Sequence, residues 1–188
     1  MGINTKAYLL SILKSNPGEI FELLSSLLTT FKYRYIRRCI GKGTIVRSKT
    51  RIINCANVRI ADGCILQSDV YIRAGAQGSV IFKRGCMINS FARFFGHGGI
   101  ELGEDTQIGP GVTITTTQHD YDEPDLPEIF SKVTLGKRVW VGASATILPG
   151  VSIGDNSVIG AGSVVTKDLP PDAIAAGVPA KIIKMRSP

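Results

Sequence analysis

The sequence predicts an all-β solenoid of short stacked strands, preceded by an N-terminal α-helical segment. The main evidence for this prediction is an aliphatic side chain at every sixth position, at Leu135, Val141, Ile147, Ile153, Ile159 and Val165. A helix repeats about every 3.6 residues and a strand every two, so a step of six indicates a coiled chain with one strand and one corner per step. Residues that tolerate a positive φ follow three positions later, at Gly150, Asn156, Gly162 and Asp168.

The same step continues upstream in groups of three. The groups are Ile40, Val46 and Ile52; Ile60, Leu66 and Ile72; Phe82, Ile88 and Phe94; Leu102, Ile108 and Ile114. Further corner residues are Gly63, Asp69, Gly75, Asp105 and Gly111. The register slips only between groups, which predicts a triangular coil of three steps whose insertions all leave at one corner. The longest insertion, 116–133, is polar and acidic, and we expect it to project as a loop.

The N-terminal segment, residues 1–39, lacks this step. Apolar residues recur there at helical spacing, at Ile20, Leu23, Leu24, Leu27, Leu28 and Phe31. Such a helix would cap the first coil, pack between subunits, or lie on a membrane. Residues 40–188 form the predicted solenoid, and residues 170–188, which begin with two prolines, its C-terminal cap.

Composition limits the remaining possibilities. The length of 188 residues suits one domain with an appendage. No segment reaches the roughly 18 apolar residues of a membrane-spanning helix, and the first residues do not form a secretory signal. The four cysteines show no paired CxxC spacing, so we expect them to pack as small apolar residues in a reducing, cytoplasmic setting.

The net charge of +7 is unevenly distributed. Residues 32–51 contain many lysines and arginines and no acidic residue. Nucleic acid, an anionic membrane surface, a phosphate-bearing substrate, or a merely solvated end of the molecule would each suit such a segment. We expect no nucleic-acid partner.

Residues 139–184, VWVGASATILPGVSIGDNSVIGAGSVVTKDLPPDAIAAGVPAKIIK, resemble the C-terminal half of galactoside, maltose and virginiamycin acetyltransferases. Those enzymes are hexapeptide-repeat acyltransferases, and the resemblance covers about residues 40–185. It implies a left-handed parallel β-helix, a hand opposite to that of the ordinary crossover rule. It also implies a homotrimer with active sites between subunits, acetyl-CoA along the coils, and a histidine base.

The resemblance implies that His119, in ITTTQHD, is the catalytic residue. A sugar hydroxyl is a poor nucleophile at neutral pH, and an imidazole can take its proton as it attacks a thioester. The group that orients the imidazole is open from sequence. It is either an acid of the following loop (Asp120, Asp122, Glu123, Asp125 or Glu128) or a backbone carbonyl.

The resemblance also implies residues that bind substrate and cofactor. Asn89 matches a substrate-contacting asparagine, and His97 lies near the place of a substrate-binding aspartate, although each also suits a plain corner residue. The implied acetyl-CoA contacts are Ala143, Ala161, Thr166, Lys167, Lys181 and Lys184. Relatives often have serine at Ala143 and arginines at the last two positions, so a less directional grip on the phosphates is expected.

The predicted function is therefore acetyl-CoA-dependent O-acetylation of a sugar hydroxyl, by direct transfer, in the biosynthesis of a surface polysaccharide or lipopolysaccharide. N-acetylation of an amino sugar nucleotide is the nearest alternative, and a non-catalytic β-helical scaffold is the second. No metal is expected, because the chain has two histidines and the related zinc-dependent carbonic anhydrases need three per metal. Expected partners are a sugar or glycan acceptor, two further copies of the chain, and a membrane at its cytoplasmic face.

Overall fold

The computed structural model describes residues 17–186. It confirms the predicted fold class, since stacked parallel strands follow a single helix in this part of the chain. Helix α1 spans Pro17–Phe31 and continues into a π-helical turn, Lys32–Ile36. A short 3₁₀ turn lies at Cys55–Asn57. The outer parts of the two predicted end segments, residues 1–16 and 187–188, lie outside the described residues.

The strands are short and follow one another along the chain. They are β1 Ile45–Val46, β2 Arg51–Ile53, β3 Val58–Ile60, β4 Ile65–Leu66, β5 Tyr71–Ala74, β6 Val80–Phe82, β7 Met87–Ile88, β8 Arg93–Gly96, β9 Ile100–Leu102, β10 Gln107–Ile108, β11 Thr113–Thr115, β12 Thr117–His119, β13 Glu128–Phe130, β14 Val133–Leu135, β15 Trp140–Val141, β16 Thr146–Ile147, β17 Ser152–Ile153, β18 Val158–Ile159, β19 Val164–Val165, β20 Ala173–Ala176 and β21 Lys181–Met185.

Three parallel sheets form the three faces of a prism. Face 1 contains β1, β4, β7, β10, β15, β18 and β20, with β21 added antiparallel at the end. Face 2 contains β2, β5, β8, β11, β16 and β19, and face 3 contains β3, β6, β9, β14 and β17. Each strand pairs with the strand one coil away, as in the register Ile108↔Val141. The chain therefore passes from face 1 to face 2 to face 3 in every full coil.

The predicted insertions all leave at the corner between faces 2 and 3, as the register slips indicate. They connect β2 to β3, β5 to β6, β8 to β9, and β11 to β14. The last is the predicted loop, and it is an ordered antiparallel hairpin of β12 and β13 rather than irregular chain. All residues from 121 to 130 are exposed, so the hairpin projects from the prism.

The six-step aliphatic residues point into the prism and form its core. Val46, Ile52, Leu66, Ile72, Ile88, Ile108, Ile114, Val141, Ile147 and Ile159 are all buried. Phe82 and Phe94 stack between coils with ring centroids 4.9 Å apart, a favourable tilted arrangement. The four cysteines are free, and Cys39, Cys64 and Cys86 are buried, as expected for small apolar residues. Burial raises the pKa of Cys39 to about 12.

Most predicted corner residues have a positive φ, including Gly63, Asn156 and Gly162. Asp168 and Gly75 do not, and each has another role. The Asp168 carboxylate accepts a hydrogen bond from the backbone N–H of Ser152, at 2.7 Å. A Cβ on Gly75 would lie 2.7 Å from the Cα of His97, so this glycine permits close stacking of two insertions.

Helix α1 and the C-terminal hairpin lie at the two ends of the solenoid. The helix contacts β1, the first strand of face 1. At the other end, β21 folds back on β20 and completes face 1. Both ends of face 1 are thus covered by the chain itself, as the ends of a solenoid require.

Candidate active site

The hairpin β12–β13 positions His119. Its pairs are Thr117↔Phe130, Gln118↔Ile129 and His119↔Glu128. Because side chains alternate along a strand, His119, Thr117 and Phe130 lie on one face of the hairpin and Gln118 lies on the other. His119 and Phe130 are diagonal neighbours, with a usual separation of about 7–8 Å.

The base of the hairpin is fixed to the neighbouring coil. The Thr116 hydroxyl is buried, accepts from the backbone N–H of Gly98 at 2.8 Å, and donates to the Phe95 carbonyl at 2.9 Å. A Cβ on Gly98 would lie 2.8 Å from the nitrogen of Ser131, so glycine is what lets the strand return so closely. These contacts hold the histidine on a rigid element.

A backbone carbonyl orients the imidazole. The Nδ1 of His119 lies 2.6 Å from the carbonyl oxygen of Leu126. Because a carbonyl oxygen only accepts hydrogen bonds, Nδ1 carries the proton and Nε2 is the nitrogen able to accept one. Of the alternatives left open by the sequence, the structure thus shows the carbonyl and not a loop carboxylate. Leu126 itself is in the left-handed region, with φ 47°.

An ion-pair cluster lies next to the hairpin base. Glu101 binds Lys83 at 2.7 Å and Lys132, two residues after β13, at 2.8 Å. Hydrogen bonds from Lys132 and then Lys83 lower the pKa of Glu101 to about 2. The carboxylate therefore stays charged at neutral pH and ties the returning strand to face 3.

A cavity of about 700 Å³ opens at the same corner, one coil before His119. Its lining includes Arg73, Gln77, His97 and Phe130. The ring of Phe130 contacts that of His97, with centroids 5.9 Å apart and an edge-on geometry. Phe130 thus connects the cavity with the hairpin face that carries His119. The hydroxyl of Thr117 on that face is buried and has no hydrogen-bond partner among residues 17–186.

The predicted cofactor residues Ala143 and Ala161 stack at a different corner, between faces 1 and 2. The carbonyl of Ala143 accepts from the backbone N–H of Gly162 in the next coil, at 2.8 Å. A Cβ on Gly142 would lie 2.6 Å from the nitrogen of Ala161, so the coils meet backbone to backbone here. In these two coils the alanines are flanked by Gly142, Ser144, Gly160 and Gly162, and such small residues leave room for a narrow arm lying alongside.

The other predicted cofactor residues lie near the last coil. Thr166 and Lys167 are exposed after β19, at the corner between faces 2 and 3. Lys181 and Lys184 are exposed on β21, paired with Ala176 and Ile174. This end of the solenoid thus carries three exposed cations, Lys181 and Lys184 on face 1 and Lys167 at the corner between faces 2 and 3. Such a set fits a ligand with phosphates at one end.

Asn89 shares the corner of the alanines rather than that of His119. Its side-chain Nδ2 donates to the Ile108 carbonyl of the next coil, at 3.0 Å. This bond gives Asn89 a structural role within one chain. Face 2 lies between this corner and the hairpin, so one chain does not bring Asn89, Ala143 or Ala161 together with His119.

Several groups at this site are not predicted from the sequence. Leu126 contributes only a carbonyl, whose position depends on the path of the hairpin and on no residue type. Phe130 and Arg73 line the cavity, but neither stands in a motif. The aromatic residue in a polar, acidic loop was a usable signal for Phe130. As to metals, no group of three or more His, Cys, Asp or Glu converges anywhere in residues 17–186.

The comparisons with known proteins agree with this fold. The family described as "Bacterial transferase hexapeptide (six repeats)" matches residues 132–167. Over 88 residues the chain is 47% identical to galactoside O-acetyltransferase of Escherichia coli (strain K12), which covers 45% of this chain and 43% of that protein. The matched part of this chain thus spans less than half the length of that enzyme.

A longer match defines the family. The chain is 31% identical over 179 residues to the "Putative lipopolysaccharide biosynthesis O-acetyl transferase WbbJ" of Escherichia coli (strain K12), covering 89% of this chain and 88% of that protein. A crystal structure of a variant of AntD, an N-acyltransferase from Bacillus cereus, in complex with dTDP-4-amino-4,6-dideoxyglucose and coenzyme A, superposes with a TM-score of 0.71. It is 26% identical and the match covers 79% of this chain and 83% of that one. This chain belongs to the hexapeptide-repeat acyltransferases.

Proposed function

We propose that the protein is an acetyl-CoA-dependent O-acetyltransferase that acts on a sugar hydroxyl, with His119 as general base. The observation that carries this proposal is the contact between Nδ1 of His119 and the Leu126 carbonyl. In a neutral imidazole this contact puts the proton on Nδ1 and leaves Nε2 free to accept one, as a general base requires. The exposed hairpin presents this nitrogen outside the prism, where a substrate can reach it.

The chemistry follows from that tautomer. Bound acetyl-CoA would supply a thioester whose acyl carbon is open to attack by an alcohol oxygen. Nε2 of His119 takes the proton of the acceptor hydroxyl as the oxygen attacks, and the resulting imidazolium keeps its Nδ1–H bond to Leu126. The same proton then passes from Nε2 to the departing thiolate, so His119 ends each turnover neutral. Transfer is direct, with no acyl-enzyme.

The fit of acetyl-CoA rests on the alanine corner. Backbone groups and methyls of Ala143 and Ala161 would lie along the pantetheine arm, as the close approach of Gly142 to the next coil indicates. Thr166 and Lys167 would approach the far end of the molecule. Lys181 and Lys184, exposed on β21, would bind its phosphates as mobile point charges.

The acceptor would occupy the cavity beside the hairpin. His97 and Phe130 line it together, and an aromatic face is a common contact for a sugar ring. Asn89 of a neighbouring subunit is proposed as a second acceptor contact, through the part of its amide that does not bind Ile108.

The separation of the two corners supports a homotrimer. Within one chain, face 2 lies between His119 and the alanine corner, so a complete site needs the hairpin of one subunit beside the alanine corner of its neighbour. We place the enzyme in the cytoplasm, at the inner face of the membrane, in the biosynthesis of a surface polysaccharide or lipopolysaccharide. The sequence similarity to WbbJ, which extends over most of both chains, supports that role.

The decisive experiment measures thiol release from acetyl-CoA in the presence of candidate glycans and sugar nucleotides. His119→Ala should lower turnover at least about 100-fold and leave the fold and CoA affinity unchanged. Gln118→Ala is the matched control, because Gln118 is an exposed neighbour on the other face of the hairpin. Near-normal turnover of His119→Ala would remove this residue from the mechanism. A wild-type protein that neither binds CoA nor releases thiol would be a scaffold.

The second candidate is N-acetylation of an amino sugar nucleotide. The likeness to AntD favours it, since that enzyme was solved with such a ligand. The guanidinium of Arg73 at the cavity would suit a nucleotide diphosphate. Activity on an amino sugar nucleotide, with none on any hydroxyl acceptor, would replace the leading proposal.

A further inference from the structure

Helix α1 turns its polar face towards the solenoid, whereas an amphipathic helix usually packs with its apolar face on the core. Glu22, Ser26 and Thr30, spaced four apart, face the solenoid. The Glu22 carboxylate accepts from the hydroxyls of Ser48 at 2.7 Å and Ser68 at 3.0 Å. The Ser26 hydroxyl accepts from the backbone N–H of Ser48 at 3.2 Å.

Thr30 completes this polar contact. Its hydroxyl accepts from the N–H of Val46 at 2.9 Å and donates to the Val46 carbonyl at 3.1 Å. A stack of parallel strands ends in unpaired backbone groups, and these side chains satisfy them. The first coil therefore selects the polar face of the helix.

The apolar face consequently points away from the protein. Phe21, Leu24, Leu28, Phe31 and Tyr35 follow one another at steps of three and four residues and are 54% to 75% exposed. We call these five residues the outer stripe. The rings of Phe31 and Tyr35 contact each other, with centroids 5.0 Å apart. A contiguous row of large apolar side chains marks an interaction surface rather than ordinary surface scatter.

The chain from Lys32 onward is cationic. Lys32, Arg37, Arg38 and Lys42 are exposed, and no acidic residue occurs from Leu23 to Ala61. None of these four cations takes part in an ion pair with another side chain of residues 20–186. A second copy of the helix would bring two such acid-free segments together, which is electrostatically unfavourable.

We propose that the outer stripe docks the protein on an anionic lipid bilayer. The apolar side chains would enter the boundary between headgroups and acyl chains, where the aromatic rings of Phe31 and Tyr35 are favourable. The neighbouring lysines and arginines would lie at the anionic headgroups, each worth about 1 kcal/mol near such a surface. No helix within residues 17–186 is long and apolar enough to cross a membrane, so the contact is peripheral. The inference depends on α1 and not on the proposed chemistry.

The test is sedimentation of the full-length protein with vesicles of phosphatidylcholine, with and without phosphatidylglycerol. We expect binding only to the vesicles that contain phosphatidylglycerol, weakening as salt rises. The double variant Leu24→Glu/Leu28→Glu should lower vesicle affinity at least about tenfold. The matched control is Tyr121→Glu/Met185→Glu, which adds the same charge at exposed apolar residues away from α1 and should bind like the wild type.

Each other outcome overturns the proposal. Absence of binding by the wild-type chain would show that the stripe is covered, by residues 1–16 or by another protein. Equal binding by the two double variants would place the lipid contact elsewhere. A change of oligomeric mass on Leu24→Glu/Leu28→Glu, without a change in vesicle binding, would assign the stripe to a second copy. Acetyl transfer to a water-soluble acceptor should be the same in the wild type and in Leu24→Glu/Leu28→Glu, which separates this test from that of the chemistry.

Discussion

The imidazole Nδ1 of His119 lies 2.6 Å from the carbonyl oxygen of Leu126, seven residues later in the same hairpin. This contact joins the last residue of β12 to the turn between the two strands. Leu126 holds φ at 47°, and its own N–H donates to the Glu123 carbonyl at 3.0 Å. The orientation of the base therefore depends on backbone geometry at one non-glycine residue.

Leu126→Pro should impair catalysis without unfolding the solenoid. Proline holds φ near about −65° and has no N–H, so it can neither adopt the left-handed conformation nor bond to Glu123. We expect kcat to fall roughly 10- to 100-fold as the imidazole loses its acceptor. Leu126→Gly keeps the conformation accessible and should retain nearly full activity. Steady-state kinetics of both variants decide this, and equal rates would show that the carbonyl contact is dispensable.

Alanine substitutions at Gly98 and Gly63 should affect different properties, the first mainly activity and the second mainly stability. A Cβ on Gly98 would press on the nitrogen of Ser131, so Gly98→Ala should move the hairpin base and lower kcat several-fold. Gly63 has φ 69° with open space around it, so Gly63→Ala should cost about 1–2 kcal/mol through backbone strain and leave kcat unchanged. Urea unfolding and initial rates are measured on both. The expectation is wrong if Gly63→Ala is the slower enzyme.

Phe82→Ala should destabilise the fold strongly. The ring is fully buried and packs on Phe94, so its removal should lower the free energy of unfolding by about 3–5 kcal/mol. Tyr121→Ala, in the exposed part of the hairpin, should change it by less than about 0.5 kcal/mol. Chemical denaturation gives both values. A small loss at Phe82 would indicate that the coils collapse around the cavity.

Glu101→Gln should destabilise the protein at neutral pH and lose this effect in acid. The pKa of Glu101 is about 2 in the folded protein and about 4.3 in an unfolded chain, so folding favours the charged form. Its contribution is present above about pH 4.3 and disappears as pH falls towards 2. The difference from wild type should be below about 1 kcal/mol, as for other partly exposed ion pairs. Unfolding at pH 7 and pH 3 tests this, and a difference independent of pH would contradict it.

Subunit complementation tests where the site is assembled. His119→Ala removes the base, and Ala161→Trp blocks the alanine corner, so each variant alone should be nearly inactive. Co-folded mixtures should regain activity if a site takes the hairpin from one subunit and the alanine corner from its neighbour. Mixtures that stay inactive would place both groups in one chain's site. Sedimentation equilibrium provides the mass of the assembly in the same samples.

The six-residue repeat predicted the coil closely. An inward side chain at every sixth residue requires one short strand and one corner per step, stacked in register from coil to coil. It did not predict every left-handed corner. Phe91, Arg138 and Ser144 have positive φ at the same position, three residues after an inward aliphatic. The coil imposes that conformation whatever the residue type, so a search for glycine, asparagine and aspartate finds only part of the corners.

The candidate site was predictable only where residue types carry the chemistry. His119 stands out as one of two histidines, and the alanine corner follows from the family resemblance. The Leu126 carbonyl and the corner separation depend on the folded path. Likewise, helical spacing predicted α1 but not its orientation, because the apolar stripe alone does not show that the first coil requires hydroxyls and a carboxylate from Glu22, Ser26 and Thr30.

All insertions leave the prism along a single edge, between faces 2 and 3. The scaffold can therefore accept a longer, shorter or wholly different hairpin without disturbing the packing of its interior. Under the proposed function, the hairpin could thus change its contacts with the acceptor while the interior of the solenoid stays the same. An exchange of residues 117–130 between members of the family, followed by acceptor screens and unfolding measurements, would show whether the hairpin sets acceptor preference.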